Sequence, residues 1–434
     1  MGSNVENLGA LERRFDITIS LEKLQSEIEN RLKRLAKTTK LHGFRPGKVP
    51  FKMVTQMYGA QVQQDVLNDA VHKEFTDTVK ELNLQVAGYP RFEAKPADDN
   101  DARYTFSATF EVYPEIVLGD LSKQNIERPN VRVAGADIDK TLDMIRKQRV
   151  TYEPVDRSAK KGDRIKIDYR GVIDGNDFGG GKAEGVQLIL GDGKFLKDFE
   201  ASLVGMKVGN SKSFDVVFPE DYHGKDIAGK TVTFEVKLSE LEASVLPNVD
   251  ADFAKLLGVS DGDIKKLREG IQQDLEREVS KRTRTKLKEQ IMQSLLDTTQ
   301  IEAPGVLINQ EIERLMQNAR SGLEARGMKA KEMPFTPDLF KEKAEYRVKL
   351  GLILAEVVRV HALKATPEQV RNIIEDAAQS YENPEQVVKW HYASSERLQE
   401  AESLALEENV VNWALDKVKL TDKTVTFDEL MGIS

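Results

Sequence analysis

Between residues 162 and 241 the chain carries Tyr169, Phe178, Phe195, Phe199, Phe214, Phe218, Tyr222 and Phe234, a high aromatic density for so short a stretch. Most aromatics in a small domain are core. A twisted sheet around one short helix can nonetheless leave an aromatic-lined hollow on its concave side. Such a hollow suits cis/trans isomerisation of a prolyl bond, whose barrier of about 18–20 kcal/mol comes from amide resonance. The twisted transition state has lost the resonance dipole, so it suffers less from lost water than the planar ground state does. That chemistry needs no nucleophile and no metal, and the sequence advertises neither. There is no cysteine, and His42, His72, His223, His361 and His391 are scattered, with no i, i+4 pair beside a glutamate. His223 follows Tyr222 in a loop and by default is a surface histidine.

A second constellation is built for binding. From Asn30 to Gln64 there is no acidic residue, while Arg31, Lys33, Arg34, Lys37, Lys40, Arg45, Lys48 and Lys52 are all basic. The whole chain carries a net charge of −8, so this window reverses the local sign. At its centre stands Gly43-Phe44-Arg45-Pro46-Gly47-Lys48-Val49-Pro50. Gly and Pro at this density forbid a continuous helix and favour an exposed turn. One apolar anchor and two cationic arms fit a phosphate-rich, uneven surface. The plainer reading is a solvated basic helix face followed by a turn.

A third match is a decoy. Gly224-Lys225-Asp226-Ile227-Ala228-Gly229-Lys230-Thr231 satisfies G-x-x-x-x-G-K-[ST]. A phosphate-cradling loop must follow a strand and open a helix, because the helix N-terminus supplies the aligned amides. Here a Pro-containing loop comes before, and Thr231 to Leu238 alternates like a strand.

The elements that must hold these residues change style along the chain. Arg14 to Ile19 and Arg103 to Tyr113 alternate as half-buried strands. Ser20 is placed to cap a helix bearing Leu21, Leu24, Ile28, Leu32 and Leu35. Phe51 to Leu82 reads as helical with an interruption near Gly59, so the first part is a small α+β module. Asp137 to Gln148 predicts a short helix. From Gly162 to Leu241 the strands Arg164–Tyr169, Ser211–Phe218 and Thr231–Leu238, with the Gly179-Gly180-Gly181 run, suit a compact antiparallel sheet with one helix over Phe195–Leu203. Beyond Pro247 the chain turns helical: a stripe begins at Ile264 after a cap at Ser260 or Asp261, and Pro304, Pro337, Pro367 and Pro384 each open a helix. Thin apolar stripes on charged helices suggest an extended arrangement with grooves or arms.

Length and composition set the frame. Four hundred and thirty-four residues predict two to four domains. The missing cysteines exclude disulfides and thiolate sites, and fit a reducing compartment. The N-terminus is expected to carry no secretory signal, since charge arrives by Glu6. The greasiest stretch, Leu350 to Val360, is broken by Glu356 and Arg359 and falls short of the roughly 20 residues a span needs.

These residues resemble a known family. Gly43 to Pro50 resembles the ribosome-docking signature of the bacterial trigger factor family. Ile167-Asp168-Tyr169-Arg170-Gly171 through Leu238 resembles its FKBP-type peptidyl-prolyl isomerase domain, with Phe218-Pro219-Glu220-Asp221-Tyr222-His223 especially similar. Glu111 to Glu115 and Thr426 to Met431 also look like family landmarks, and the likeness runs through essentially the whole chain. It implies an α+β multidomain fold: a small α+β N-terminal domain, an FKBP-like antiparallel sheet with a short helix, and an extended all-α C-terminal domain with arms. The expected boundaries are 1–114, a connecting segment 115–149, 150–243 and 244–434.

The resemblance implies an ATP-independent chaperone for nascent polypeptides at the ribosomal exit tunnel. Gly43, Phe44, Arg45, Pro46, Gly47 and Lys48 would dock on large-subunit protein and rRNA. Tyr169, Phe178, Leu196, Phe199, Tyr222, His223 and Phe234 would form the isomerase site, with Val186 on a matching position. The chain departs from the family pattern at Lys197, Asp198, Gly179 and Val186. No cofactor, metal or membrane is implied. Partners would be the ribosome, nascent and unfolded chains, and, when free, a second copy in a weak homodimer, all in the cytoplasm. Two rivals stay open: a free FKBP-type isomerase without ribosome docking, and an RNA-binding protein acting through the basic window.

Overall fold

The computed structural model describes residues 5–39, 44, 49–96, 103–173, 176–222, 227–328, 335–379 and 381–433. In chain order the strands and helices are β1 Glu6–Asn7, β2 Glu12–Ser20, α1 Leu21–Thr38, α2 Phe51–Glu81, β3 Val86–Ala94, β4 Arg103–Val112, β5 Asn125–Asn130, α3 Gly135–Gln148, β6 Thr151–Pro154, β7 Arg164–Ile173, β8 Asn176–Ile189, α4 Lys197–Leu203, β9 Ser211–Val217, β10 Thr231–Val245, α5 Ala251–Leu256, α6 Ile264–Thr298, α7 Gly305–Ala325, α8 Asp338–Val360, α9 Pro367–Ala378, α10 Pro384–Tyr392, α11 Ser395–Leu415, β11 Lys419–Thr424 and α12 Phe427–Met431. They fall into two compact units, one of residues 1–128 and 285–422, the other of 129–284 and 423–434. Among the described residues no helix is long and apolar enough to cross a membrane.

The first unit opens with an antiparallel sheet in the order β1-β2-β4-β3. Alternation in β2 buries Phe15, Ile17 and Ile19 against α1 and α2, which contribute Leu24, Leu32, Val54, Val62, Val66 and Phe75. The expected break at Gly59 is absent: α2 runs unbroken for 31 residues. A mid-helix glycine costs roughly 1 kcal/mol relative to alanine, and the flanking buried valines outweigh it. Strand β3, which the sequence reading did not locate, bulges at Gly88-Tyr89-Pro90, where the ladder steps from Ala87 opposite Glu111 to Arg91 opposite Thr109. Gly88 has φ +75°, and a Cβ there would lie 2.1 Å from Val306 Cγ1. Ser20 precedes α1 as expected, but its side chain makes no capping hydrogen bond. In the same unit, the second part of α6 packs with α8 and α11 around Ile291, Leu295, Ile353, Val357, Val410 and Ala414. Smaller apolar clusters join α7 to α8 and α9 to α11. The prolines were good markers here: Pro304 and Pro337 immediately precede α7 and α8, while Pro367 and Pro384 are the first residues of α9 and α10.

The second unit is dominated by a five-stranded antiparallel sheet. β10 is its spine: one edge carries β7, and the other carries β9 along its first half and β6 along its last residues. Val232, Phe234, Val236 and Leu238 all face inward, each contributing about 1.5–3 kcal/mol of apolar burial. A bulge between Leu238 and Glu240 then flips the phase, so Leu241 is buried as well. The chain comes into this sheet through β6 and leaves through the end of β10, where Val245 pairs with Thr151. Gly179–Gly181 lies inside β8. Helix α4 covers the inner face with Phe199 and Leu203. The start of α6 packs with α3 and α5 around Ile138, Leu142, Phe253, Leu267 and Ile271, and Arg268 pairs with Asp139 at 2.7 Å. Thr231 begins a strand, so the G-x-x-x-x-G-K-[ST] match opens no helix; its Gly224, Lys225 and Asp226 lie outside the described residues.

A partly buried ion pair ties down the loop ahead of β7. The Asp163 side chain is 4 % exposed and meets Arg157 in a forked contact at 2.7 and 2.8 Å, while its Oδ2 accepts from the Lys160 amide at 2.8 Å. Burial pushes the carboxyl up, but the Arg157 and Lys160 hydrogen bonds outweigh it and hold the group below the ordinary aspartate range. A depressed folded value stabilises the sheet at any pH above the unfolded aspartate value of about 3.9, and that stabilisation disappears as pH falls through the folded value. Chemical denaturation between pH 7 and pH 2 is expected to show a smaller acid-side stability loss in Asp163→Asn than in wild type; parallel curves would show that Asp163 contributes nothing to it.

Candidate active site and docking segment

The inner face of the second unit's sheet holds a hollow of about 510 Å³. Its floor is Phe199, 2 % exposed on α4, and Phe234, 6 % exposed on β10. Their rings meet edge to face at 5.0 Å, and Tyr169 of β7 stands edge-on to both, at 6.1 and 5.9 Å. Phe195 stacks on Phe199 at 5.4 Å, and Phe218 meets Tyr222 edge-on at 4.9 Å. Phe178, Leu196 and Ile227 add apolar lining, and Gly179, Gly180, Gly193 and Lys194 line the hollow as well.

Backbone placement explains why the rings sit where they do. Alternation in β10 turns Phe234 inward between Val232 and Val236. Gly171 gives that ring its room, since a Cβ there would come within 2.7 Å of Phe234 Cε1. The loop 191–196 is held by Glu200, a buried carboxylate on α4 that accepts from the amides of Gly191 at 2.8 Å and Phe195 at 3.2 Å. A buried acceptor with two backbone donors is a strong anchor, because losing it would strand both amides. The described lining contains no carboxylate and no imidazole, and no group of metal-ligating side chains is found among the described residues. What the hollow offers is shape, aromatic surface and exclusion of water, the requirements of rotation about an amide bond.

The structure therefore gathers Tyr169, Phe178, Leu196, Phe199, Tyr222 and Phe234 around one cavity. His223 lies outside the described residues. Val186 packs against the sheet core and does not line the hollow. Lys197 and Asp198 open α4 away from the lining. Sequence reasoning missed Ile227, Gly193 and Lys194 as lining residues. Ile227 was hidden inside the decoy phosphate motif, and the other two sit in a loop with no periodicity to betray them.

Of the docking segment, Phe44 is described and is 37 % exposed; Gly43, Arg45, Pro46, Gly47 and Lys48 lie outside the described residues. The segment joins α1 to α2, with Val49 buried in the module's core at the return. Two of the window's cations are already committed. Arg31 pairs with Asp69 at 2.5 Å, which raises the guanidinium above its ordinary range through a hydrogen bond, and Lys33 pairs with Glu29 at 2.6 Å. Arg34, Lys37 and Lys52 have no carboxylate partner among the described residues, so the uncommitted charge gathers toward the loop. Phe51, Met53 and Met57 add exposed apolar surface on the first turns of α2.

Three family models match in the chain's own order. Residues 1–145 match the model described as bacterial trigger factor protein, 155–239 that of FKBP-type peptidyl-prolyl cis-trans isomerase, and 263–416 that of the bacterial trigger factor C-terminus. A protein named trigger factor from Nitrosospira multiformis is 58 % identical over 435 residues, covering 100 % of both chains. Namesakes from Nitrosomonas europaea and Aromatoleum aromaticum are 54 % and 50 % identical, each covering 100 % of this chain and 99 % of the relative. A solved structure from work on promiscuous substrate recognition by the trigger factor chaperone aligns with TM-score 0.47 at 17 % identity, over 96 % of this chain and 100 % of that one.

Proposed function

The chain belongs to the bacterial trigger factor family, and from that premise we propose that it shields nascent polypeptides at the ribosome without ATP while its aromatic hollow isomerises their prolyl bonds. The observation that carries the reading is the hollow itself: Tyr169, Phe199 and Phe234 in mutual edge contact inside the segment that matches the FKBP-type isomerase family. A proline ring entering it exchanges water for aromatic carbon, and the adjoining amide loses solvation that favours its planar, dipolar form. Rotation about C–N then proceeds with no proton transfer and no covalent intermediate.

Shielding falls to the helical part. Leu339, Tyr381, Trp390 and Tyr392 are 69 %, 61 %, 56 % and 49 % exposed on or beside helices α8 to α10, where charged neighbours keep the surface soluble. Scattered apolar contacts of this kind hold unfolded chains weakly and release them without an energy source. Phe44, Arg45 and Lys48 tether the molecule to large-subunit protein and rRNA beside the tunnel exit. Away from ribosomes the same surfaces meet those of a second copy in a weak homodimer, and the molecule works in the cytoplasm.

Stoichiometry separates the two activities. Refolding of a protein limited by prolyl isomerisation is expected to accelerate at a small fraction of one chaperone per substrate, whereas suppression of aggregation needs about one to one. If acceleration also required equimolar protein, the hollow would be binding chains without turning them over, and the isomerase part of the reading would fail.

A further inference from the structure

A chain without cysteine has one kind of oxidisable sulfur left, the methionine thioether. Met206 and Met292 are buried in apolar cores, and Met316 and Met431 are partly covered. Met53, Met57, Met144 and Met328 are exposed. Met144 lies on α3, and Met328 lies just past the end of α7. Met53 and Met57 differ from these in standing together. They are 37 % and 56 % exposed and four residues apart on α2, so they share one face of the helix. At about 1.5 Å of rise per residue they sit about 3 and 9 Å along the axis from Phe51, where the chain returns from the docking segment.

The helix has no internal use for two apolar side chains there. Its buried side is already supplied by Val54, Val62 and Val66, and a solvent-facing position is ordinarily charged or polar. Thioethers are flexible and polarisable, which suits surfaces that must fit an irregular partner. The setting also has a sign. No acidic residue lies between Asn30 and Gln64, so the pair is embedded in a surface that complements a phosphate-rich particle.

We infer that Met53 and Met57 pack on an apolar patch of large-subunit protein beside the docking loop, and that oxidation of these two sulfurs releases the chaperone from the ribosome. This inference rests on the docking reading above and adds a control to it. A two-electron oxidant such as hydrogen peroxide supplies the oxygen. The sulfur lone pair attacks one peroxide oxygen, and the O–O bond breaks as the S–O bond forms. The displaced hydroxide takes the proton left on the transferred oxygen and departs as water. Sulfur loses two electrons and the peroxide gains them. No thiol within the chain competes for the oxidant. The product is a polar sulfoxide, which disrupts an apolar contact and which a methionine sulfoxide reductase converts back.

The test oxidises the full chain with hydrogen peroxide, destroys the excess with catalase, and then measures affinity for purified ribosomes by co-sedimentation, so the ribosomes never meet the oxidant. Peptide mass mapping reports which methionines have gained oxygen. Wild type carrying sulfoxide at 53 and 57 is expected to bind about tenfold more weakly than the untreated sample. Methionine sulfoxide reductase is expected to restore it. In the double variant Met53→Leu, Met57→Leu the treated and untreated samples are expected to bind alike, whatever their starting affinity. Isomerase turnover on a short peptide is expected to survive peroxide in both proteins, since the described lining of the hollow holds no methionine. Wild-type affinity unchanged by sulfoxide at both positions overturns the inference, and so does peroxide that leaves the two sulfurs unoxidised. An equal loss in the leucine variant overturns it as well, by assigning the effect to another sulfur. Untreated wild type that fails to bind at all would sink the docking reading itself, an outcome distinct from firm binding that ignores oxidation.

Discussion

Alanine at Phe44, Arg45 and Lys48 together is expected to abolish co-sedimentation with ribosomes while leaving prolyl isomerisation of a short peptide intact. The reasoning is electrostatic and apolar at once. The molecule carries a net charge of −8, so the attachment proposed above to a phosphate-rich particle would depend on the cations concentrated at one loop. With Arg31 and Lys33 paired to their own carboxylates, the loop cations would do this work together with Arg34, Lys37 and Lys52, which have no carboxylate partner among the described residues. An exposed aromatic anchor is typically worth about 2 kcal/mol or more at an interface. Losing it with two phosphate contacts should therefore weaken attachment by at least about a hundredfold. Wild-type attachment should weaken with salt as counterions reclaim the phosphates, and the log–log slope should shrink by about 1.5–2 in the triple variant. Salt-insensitive attachment would indicate a purely apolar contact. Concurrent loss of isomerase activity would refute the separation of the two sites.

The second large effect concerns Phe234. Truncation to alanine would be hard to interpret, since the ring is almost fully buried and contacts Tyr169, Phe199, Phe214 and Phe218. A buried Phe→Ala change costs roughly 3–5 kcal/mol, a large share of a domain's whole stability, so lost folding would mask any lost role. Phe234→Leu keeps most of the apolar volume and removes the flat wall. Isomerase turnover is expected to fall by about a hundredfold, the scale on which small misplacements act. Protection of an aggregating client should change by less than about twofold, because the client surfaces proposed above lie on the helices and not in the hollow. Equal losses in the two assays would make the hollow the client-binding surface.

How much of this was legible beforehand depended on how local each signal was. Alternation located β2, β4 and β10, because each has one buried face and period-two patterning survives whatever packs against it. Proline located the starts of four C-terminal helices, since its fixed φ and missing N–H act on the residue itself. Local rules misled at Gly59, where tertiary burial overrode helix propensity. Elements as short as α5, with six residues, and β1, with two, carry too few positions to show any period. At the hollow, the aromatic residues announced themselves by type, and the resemblance ranked them. Ile227, Gly193 and Lys194 did not, because they become neighbours only when separate loops close over the same cavity. Glu200 was equally silent: a glutamate in a short helix looks like solvent-facing charge until two backbone amides are seen to point at it.

The pairing of Thr151 with Val245 has an evolutionary corollary. The stretch containing the five-stranded sheet begins and ends on two residues that are already side by side, within the roughly 4.5–5.5 Å that separates antiparallel partners. Deleting everything between them leaves a gap that a tight turn can close. A gene could thus shed this module, or acquire it whole, by one in-frame event without dragging apart the two residues that border it.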